Sequence, residues 1–319
     1  MFWLKVCLFA VMSLCFSAVS ATEVYPGKTI RLIVGYPTGG NADFLARVIA
    51  ERFQVNGWQT VVENRAGASG TIAAGYLAER ADRDGHTMGI FTMGSMSLTP
   101  QLMKLSYGVD DLKPVIKLAS YSAVLVVHPS LPVRNVRELV ALAKSRPMEL
   151  NCSSSGPLSL FHLVCEQLNS VAGIKIVHIA YKGVSPATTG LIIGEVQLMF
   201  NAYNGLKPFI DSGKVRAIAV TGRKRDPLLP DIPTMAETFP GFEVYSWMGL
   251  FVPKDTPNAI IGKLNAEITK ILQEPSAREK WKNIGYEFSA NSPEELSLSI
   301  KKEQALYGAL IKKLGIKPQ

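Results

Sequence analysis

Apolar and polar positions along the chain fall into two alternating rhythms. "TIRLIVGY" is a nearly unbroken apolar run, and Phe44, Leu45, Val48, Ile49 and Phe53 then recur at the spacing that fills one face of a helix. The couple repeats. "QTVVENR" leads through "AGASG" into "TIAAGYLAERA", and "HTMGIFTM" leads through "GSMS" into a short helix near "LTPQLM". "ELNCS" leads through "SSGP" into "LSLFHLVCEQLNSVAG", which Gly173 closes. "KIVHIAY" runs through "KGVSP" into "ATTGLIIG", and "VQLMF" through "NAYNG" into "LKPFIDSG". "VLVVHPS" and "VRAIAVTG" read as strands, "VRELVALAKSR" as a helix that Pro147 ends, and the last third as mainly helical. Strands that alternate with helices and are apolar on both faces predict an α/β protein with buried, largely parallel sheets. A chain of 319 residues exceeds one ordinary domain, and no low-complexity tract marks a linker. Two tightly packed domains, or domains that share strands, are expected.

The first residues break this rhythm. Lys5 gives a short basic start, an apolar stretch runs from Val6 to about Val19, and Val19-Ser20-Ala21 presents small residues where a signal peptidase reads. The expectation is a cleaved signal peptide over residues 1–21, export to the periplasm and a mature chain from Thr22. The apolar run is short for a membrane span. Export admits a disulfide between the two remaining cysteines, Cys152 and Cys165. One sits at a strand end and the other well into the next helix, so two buried, unpaired thiols are expected.

Composition adds exclusions. The net charge of +8 is scattered, with "TGRKRD" as the one short basic cluster. Nucleic-acid binding would want a basic stripe interleaved with aromatics, so no nucleic-acid partner is expected; a positive balance instead attracts small anions. His86, His128, His162 and His178 form no metal-ligand spacing, no His-Glu-x-x-His or Gly-x-Ser-x-Gly occurs, and no catalytic residue or metal ligand is assigned. "GYPTGGNAD" has the look of a nucleotide loop but lacks the Lys-Ser/Thr of a phosphate loop and the Gly-x-Gly-x-x-Gly of a dinucleotide fold, despite Glu63 about twenty residues on. No cofactor is expected.

What remains is a set of strand-to-helix turns built from Gly, Ser, Thr and Asn: "PTGGNAD", "AGASG", "GSMS", "SSSGP" and "NAYNG". In an open α/β sheet such turns lie beyond the carboxyl ends of the strands, where ligands bind. Helix N-termini there offer unpaired amides and the positive end of the dipole, which suits a carboxylate without a dedicated arginine. Asp43 complicates this. It either caps the first turn of its helix or faces the cleft, where it would select a ligand amine or hydroxyl.

The stretches "YPGKTIRLIVGYPTGGNADFLARVIAERF", "VVENRAGASGTIAA", "DGHTM", "LNCSSSGPLSLFHL", "HIAYKGVSPATTGLIIGEVQLMF", "GKVRAIAVTGRKRDPLLPDIPTMAE" and "SWMGLFVPKDTP", in this order, resemble the Bug receptors. These are the periplasmic solute-binding subunits of tripartite tricarboxylate transporters. The resemblance implies the type II periplasmic-binding-protein fold: two α/β domains with a ligand cleft between them and two crossing strands as hinge. With crossings near Ser122 and Tyr245, residues 22–122 plus 246–319 form domain 1 and residues 123–245 form domain 2. It implies a monomer that captures a small organic anion (a dicarboxylate, tricarboxylate, acidic amino acid or nicotinate-like acid) and serves the small and large membrane permease subunits. The alternatives are a sensory receptor signalling to a membrane histidine kinase and an exported enzyme acting on a carboxylate.

Carried over by resemblance, Tyr36, Thr38, Gly40, Asn41 and Asp43 form the first turn of a carboxylate pincer that works partly through ordered water. Ser154, Ser155, Gly156 and Ser159 form the second, and Tyr181 and Lys182 precede Gly183 in the family's "YKG". Three positions depart from the pattern: Ala42 where Thr or Ser is frequent, Pro157, which removes an amide donor, and Asn201 where aspartate is common. Asn201 at the distal end of the ligand favours a plain carboxylic acid over an amine-bearing one.

Overall fold

The computed structural model describes residues 25–316, apart from 158, 284 and 289. The signal segment expected at residues 1–21 lies outside the described residues. The strands form one curled sheet in the order β2-β1-β3-β9-β4-β7-β5-β6, with β8 also on β4. The first half comprises β1 (Ile30–Val34), α1 (Asn41–Val55), β2 (Thr60–Asn64), α2 (Thr71–Arg80) and β3 (Thr87–Thr92). β1 pairs parallel with both β2 and β3. Its residues are buried except for half-exposed Arg31, as expected of a strand covered on both faces.

β4 (Leu112–Val127) then runs through the whole molecule. The second half contains α3 (Val136–Ser145), β5 (Asn151–Ser154), α4 (Leu160–Ala172), β6 (Val177–Ala180) and α5 (Val184–Ile192). It continues with β7 (Leu198–Ala202), α6 (Tyr203–Asp211) and β8 (Arg216–Val220). β5 pairs parallel with β6 and β7. The chain crosses back in β9 (Tyr245–Pro253) and ends in α7 (Asn258–Gln273), α8 (Pro275–Lys282) and α9 (Pro293–Leu314).

The expectation of largely parallel sheets holds for β1, β2 and β3 and for β5, β6 and β7, and fails at the two crossing strands. β4 is antiparallel to β9 over Leu112–Ser122, to β7 over its last five residues and to β8 over its last four. Pattern reading begins this strand only at "VLVV". Register shifts between Pro114 and Ile116, and between Lys117 and Ala119, break the in-out alternation of its first half. The last helices return to the first half of the sheet. Asn265 of α7 donates to the Val115 carbonyl at 2.8 Å, and Glu303 of α9 accepts from Trp247 Nε1 on β9 and from Ser97 Oγ at 2.7 Å.

The expectation of two free thiols is corrected: Cys152 and Cys165 form a disulfide with Cα atoms 6.5 Å apart. The reason is geometric. α4 folds back along β5, so the five helical steps from Leu160 to Cys165, about 7.5 Å, retrace the two strand steps from Ser154 to Cys152, about 6.6 Å. A separation that looks unfavourable in sequence is thereby brought within bridging distance.

Candidate ligand-binding site

The parallel strands of both halves end at the same place, beside the crossing of β4 and β9, and the turns after β1, β3 and β5 enclose a pocket there. On the first wall, Gly40 is the N-cap of α1 and has no side chain with which to cap it. The first-turn amides of α1 are therefore not taken by a capping side chain, and Gly40, Asn41 and Ala42 line the pocket. Tyr36 stands beside them. Its hydroxyl donates to the Ser69 carbonyl at 2.9 Å and shares a 2.9 Å hydrogen bond with Thr92 Oγ1, and burial pushes its pKa up.

Asp43 does not line the pocket. It is 2 % exposed and accepts hydrogen bonds from the Gly39 amide at 2.9 Å, Arg47 Nε at 3.0 Å and Asn64 Nδ2 at 2.9 Å. Burial raises its pKa, but those three donors and the Arg47 charge outweigh it and hold the carboxyl below its ordinary range. Asp43 braces the turn from beneath: it bonds the Gly39 amide, ahead of the helix, rather than capping the first turn of α1, and it does not face the pocket. Thr38 is exposed, with its hydroxyl 3.4 Å from Asn64 Oδ1, and also lies outside the pocket.

On the second wall, Ser155 and Ser159 line the pocket, and Ser159 caps α4 by accepting from the His162 amide at 3.4 Å. Ser154 is buried behind them. Its hydroxyl donates to the Gly156 carbonyl at 2.8 Å and bonds His178 Nε2 at 2.7 Å. The rings of His162 and His178 stack with centroids 3.7 Å apart. Burial lowers the pKa of His162 to about 4; burial, then the neighbouring His162, lowers that of His178 to about 3. Both rings are neutral supports of the turn at ordinary pH.

Direct bonds join the walls. Ser69 Oγ donates to the Pro157 carbonyl at 3.0 Å, and Asn41 Nδ2 donates to Asn201 Oδ1 at 3.1 Å. Asn201 is fully buried and is not among the lining residues, but it accepts from Asn41, which is. Two glycines permit the approach: a Cβ on Gly156 (φ +154°) would lie 2.9 Å from Ser69 Oγ, and one on Gly183 (φ +137°) 2.7 Å from Pro37 Cδ. Gly156, Tyr181 and Lys182 line an adjoining cleft that shares Tyr36, Ser69 and Ser155 with the pocket. The Tyr181 hydroxyl points to Gly190, and burial and Glu195 push its pKa up to about 12. Lys182 is exposed and forms no ion pair among the described residues.

Several lining residues escaped the sequence reading. Ser69 lies in the "AGASG" turn and Gly94 in "GSMS", which composition had marked as polar turns without singling out either residue. Tyr121 and Ser246 come from the crossing strands, and Phe161 and Val184 from first turns of helices; no local signal distinguishes them from core. Burial pushes the Tyr121 phenol up to about 12, so it too stays neutral. No Asp, Glu, Lys, Arg or His side chain among the described residues lines this pocket. Among the described residues no group of three or more His, Cys, Asp or Glu side chains is placed to hold a metal.

Two α/β domains, crossing strands and a cleft of open helix starts define a solute-binding protein of the type II periplasmic-binding fold. The chain belongs to the tripartite tricarboxylate transporter family of receptors, whose model matches residues 45–316. It is 32 % identical to protein BugT of Bordetella pertussis, over 94 % of this chain and 94 % of that protein. The Rhodopseudomonas palustris protein Rpa4515, solved with adipate, is 35 % identical with a TM-score of 0.89, covering 92 % of this chain and 100 % of that one. MatC of the same organism, solved with bound malate, is 30 % identical with a TM-score of 0.84, covering 90 % and 100 %. Among the described residues no helix is long and apolar enough to cross a membrane.

Proposed function

We propose that this protein is a periplasmic receptor that captures a small carboxylic acid and delivers it to the small and large membrane subunits of a tripartite transporter. The observation that carries the reading is the convergence of two helix starts, α1 and α4, with the Ser159 hydroxyl on one pocket. Amide dipoles and neutral donors favour an anion there without committing a fixed positive charge. The adipate and malate held by two relatives agree with that chemistry. The site residues named from sequence fall into roles under this reading. Gly40, Asn41, Ser155, Ser159 and Tyr36 meet the ligand, whereas Asp43, Ser154 and Asn201 hold the turns that do.

The lobes divide at Ser122 and Tyr245, which face each other at the end of the β4–β9 ladder, and closing is a rotation about these strands. The protein turns nothing over. A thermal-shift screen against organic acids tests the reading: an acid at a hundred times its dissociation constant adds about 2.7 kcal/mol of stability. A panel of mono-, di- and tricarboxylates that leaves the melting curve unmoved ends it, as does consumption of any acid on incubation.

A further inference from the structure

The first wall of the pocket is a turn whose two ends are tied to one side chain. Asn64 closes β2, in register with Val34 at the end of β1, and stands half-buried beneath the chain that leaves β1 for α1. Its Nδ2 donates to the Tyr36 carbonyl at 2.9 Å and to Asp43 Oδ1 at 2.9 Å. Its Oδ1 faces two donors, Thr38 Oγ1 at 3.4 Å and Arg47 Nη2 at 3.5 Å. Acceptors on one side and donors on the other fix the carboxamide in a single orientation. Tyr36 precedes the turn and Asp43 follows it, and between them lie Gly40, Asn41 and Ala42, which line the pocket. Asp43 takes the Gly39 amide, at φ +82°, through its other oxygen. The path Tyr36–Asn64–Asp43–Gly39 closes a ring around the turn, and Asn64 is the member supplied by the neighbouring strand. The tie demands a particular chemistry: a carbonyl and a carboxylate are met by two hydrogens on one nitrogen of a short side chain. Leucine matches the shape and supplies neither hydrogen; aspartate supplies none when ionised and one when protonated.

We infer that Asn64 is a positioning residue for acid capture, whose carboxamide sets the place and angle of the open amides at the start of α1. It does not line the pocket and acts through Tyr36 and Asp43. An anion held by backbone amides needs them aimed to within about 0.5 Å and about 10–20°, and Asn64 holds both ends of the segment that carries them. The inference rests on the receptor reading and extends it to a residue outside the pocket.

The test is titration calorimetry of the purified receptor with hexanoate, adipate, malate and citrate, the tightest of the four serving as probe. Asn64→Leu should weaken the probe at least ten-fold at a temperature where circular dichroism shows the variant folded. Asn265→Ala is the control for general loosening. It removes the bonds from α7 to the Val115 and Asn291 carbonyls, away from the pocket, and should lower the melting temperature while leaving affinity within two-fold of native. Asn64→Asp sets a second carboxylate beside that of Asp43, with Arg47 as the facing cation and Glu63 already paired to Arg31 and Arg65. Carboxylates that close share a proton as pH falls, and that proton restores the tie to Asp43. The affinity deficit of Asn64→Asp against native, compared at each pH, should therefore be at least three-fold smaller at pH 5.5 than at pH 8. Native affinity in Asn64→Leu, or an equal loss in Asn265→Ala, overturns the inference and leaves the receptor reading intact. A deficit in Asn64→Asp that does not move with pH overturns it too, and this profile decides alone should Asn64→Leu fail to fold. If the native protein binds none of the four acids, the receptor reading falls and the inference with it.

Discussion

Residues 35–43 and residues 154–159 both lead from a buried strand into a helix and face each other across the pocket, yet they are held by different means. The first turn ends on Gly40, which caps nothing, and is tied down from beneath by the Asp43 carboxylate. The second ends on Ser159, which caps its own helix, and is bracketed by a disulfide whose two cysteines flank the entire turn. Ionic bracing leaves backbone amides open in the first; covalent bracing and a hydroxyl cap leave side chains as the principal donors in the second. A polar turn is therefore not by itself a binding element: its contribution depends on which of its donors the protein has already used.

The largest expected effect is on the covalently braced turn. Replacing both cysteines, Cys152→Ala with Cys165→Ala, should lower stability by about 3 kcal/mol, the value for a closed loop of about this length. Urea denaturation with an intact mass check reads it, and a loss below about 1 kcal/mol would show that packing alone holds the second turn.

Next comes Asp43→Ala, which removes the acceptor of three hydrogen bonds and should cost about 2 kcal/mol, with little weight on the exposed Arg47 charge. The sign with pH is fixed by the depressed carboxyl. Its stabilisation is present above the unfolded value of about 3.9 and is lost as pH falls through the lower folded value. The deficit of the variant against the native protein should therefore shrink in acid, and a deficit that grows as pH falls would contradict the bracing role.

Ser159→Ala removes the cap of α4 and should cost about 1 kcal/mol, together with weaker acid binding. The smallest effect on stability is the most informative for the comparison. Gly40→Ser gives α1 the cap it lacks, at backbone angles (φ −82°, ψ 170°) a serine cap adopts. Stability should rise by a few tenths of a kcal/mol, while acid affinity falls because the new hydroxyl takes an amide the ligand uses. If affinity is unchanged, the first-turn amides of α1 are not the anion's partners.

Much of this architecture was legible from pattern. The strand-turn-helix couples and the polar turns stand in the sequence because each is local: burial on both faces makes a strand apolar, and an open helix start needs small residues. What was not legible depends on distant residues meeting. Tyr121 and Ser246 reach the pocket only because β4 and β9 cross there. The disulfide depends on how far α4 folds back along β5. Asp43 was ambiguous because a helix-start aspartate looks the same in sequence whichever way it points; Asn64 and Arg47 decide its role.

The two hydrogen bonds between the walls, Asn41 to Asn201 and Ser69 to the Pro157 carbonyl, are made wholly from protein atoms. At about 1 kcal/mol each, they tilt the open–closed equilibrium roughly thirty-fold toward closure, whatever acid is bound. The cargo then needs to supply only the remainder of the closing free energy, and a weakly gripped acid suffices to trigger it. Under the receptor reading proposed above, such closure trades discrimination for sensitivity: the protein shuts on little.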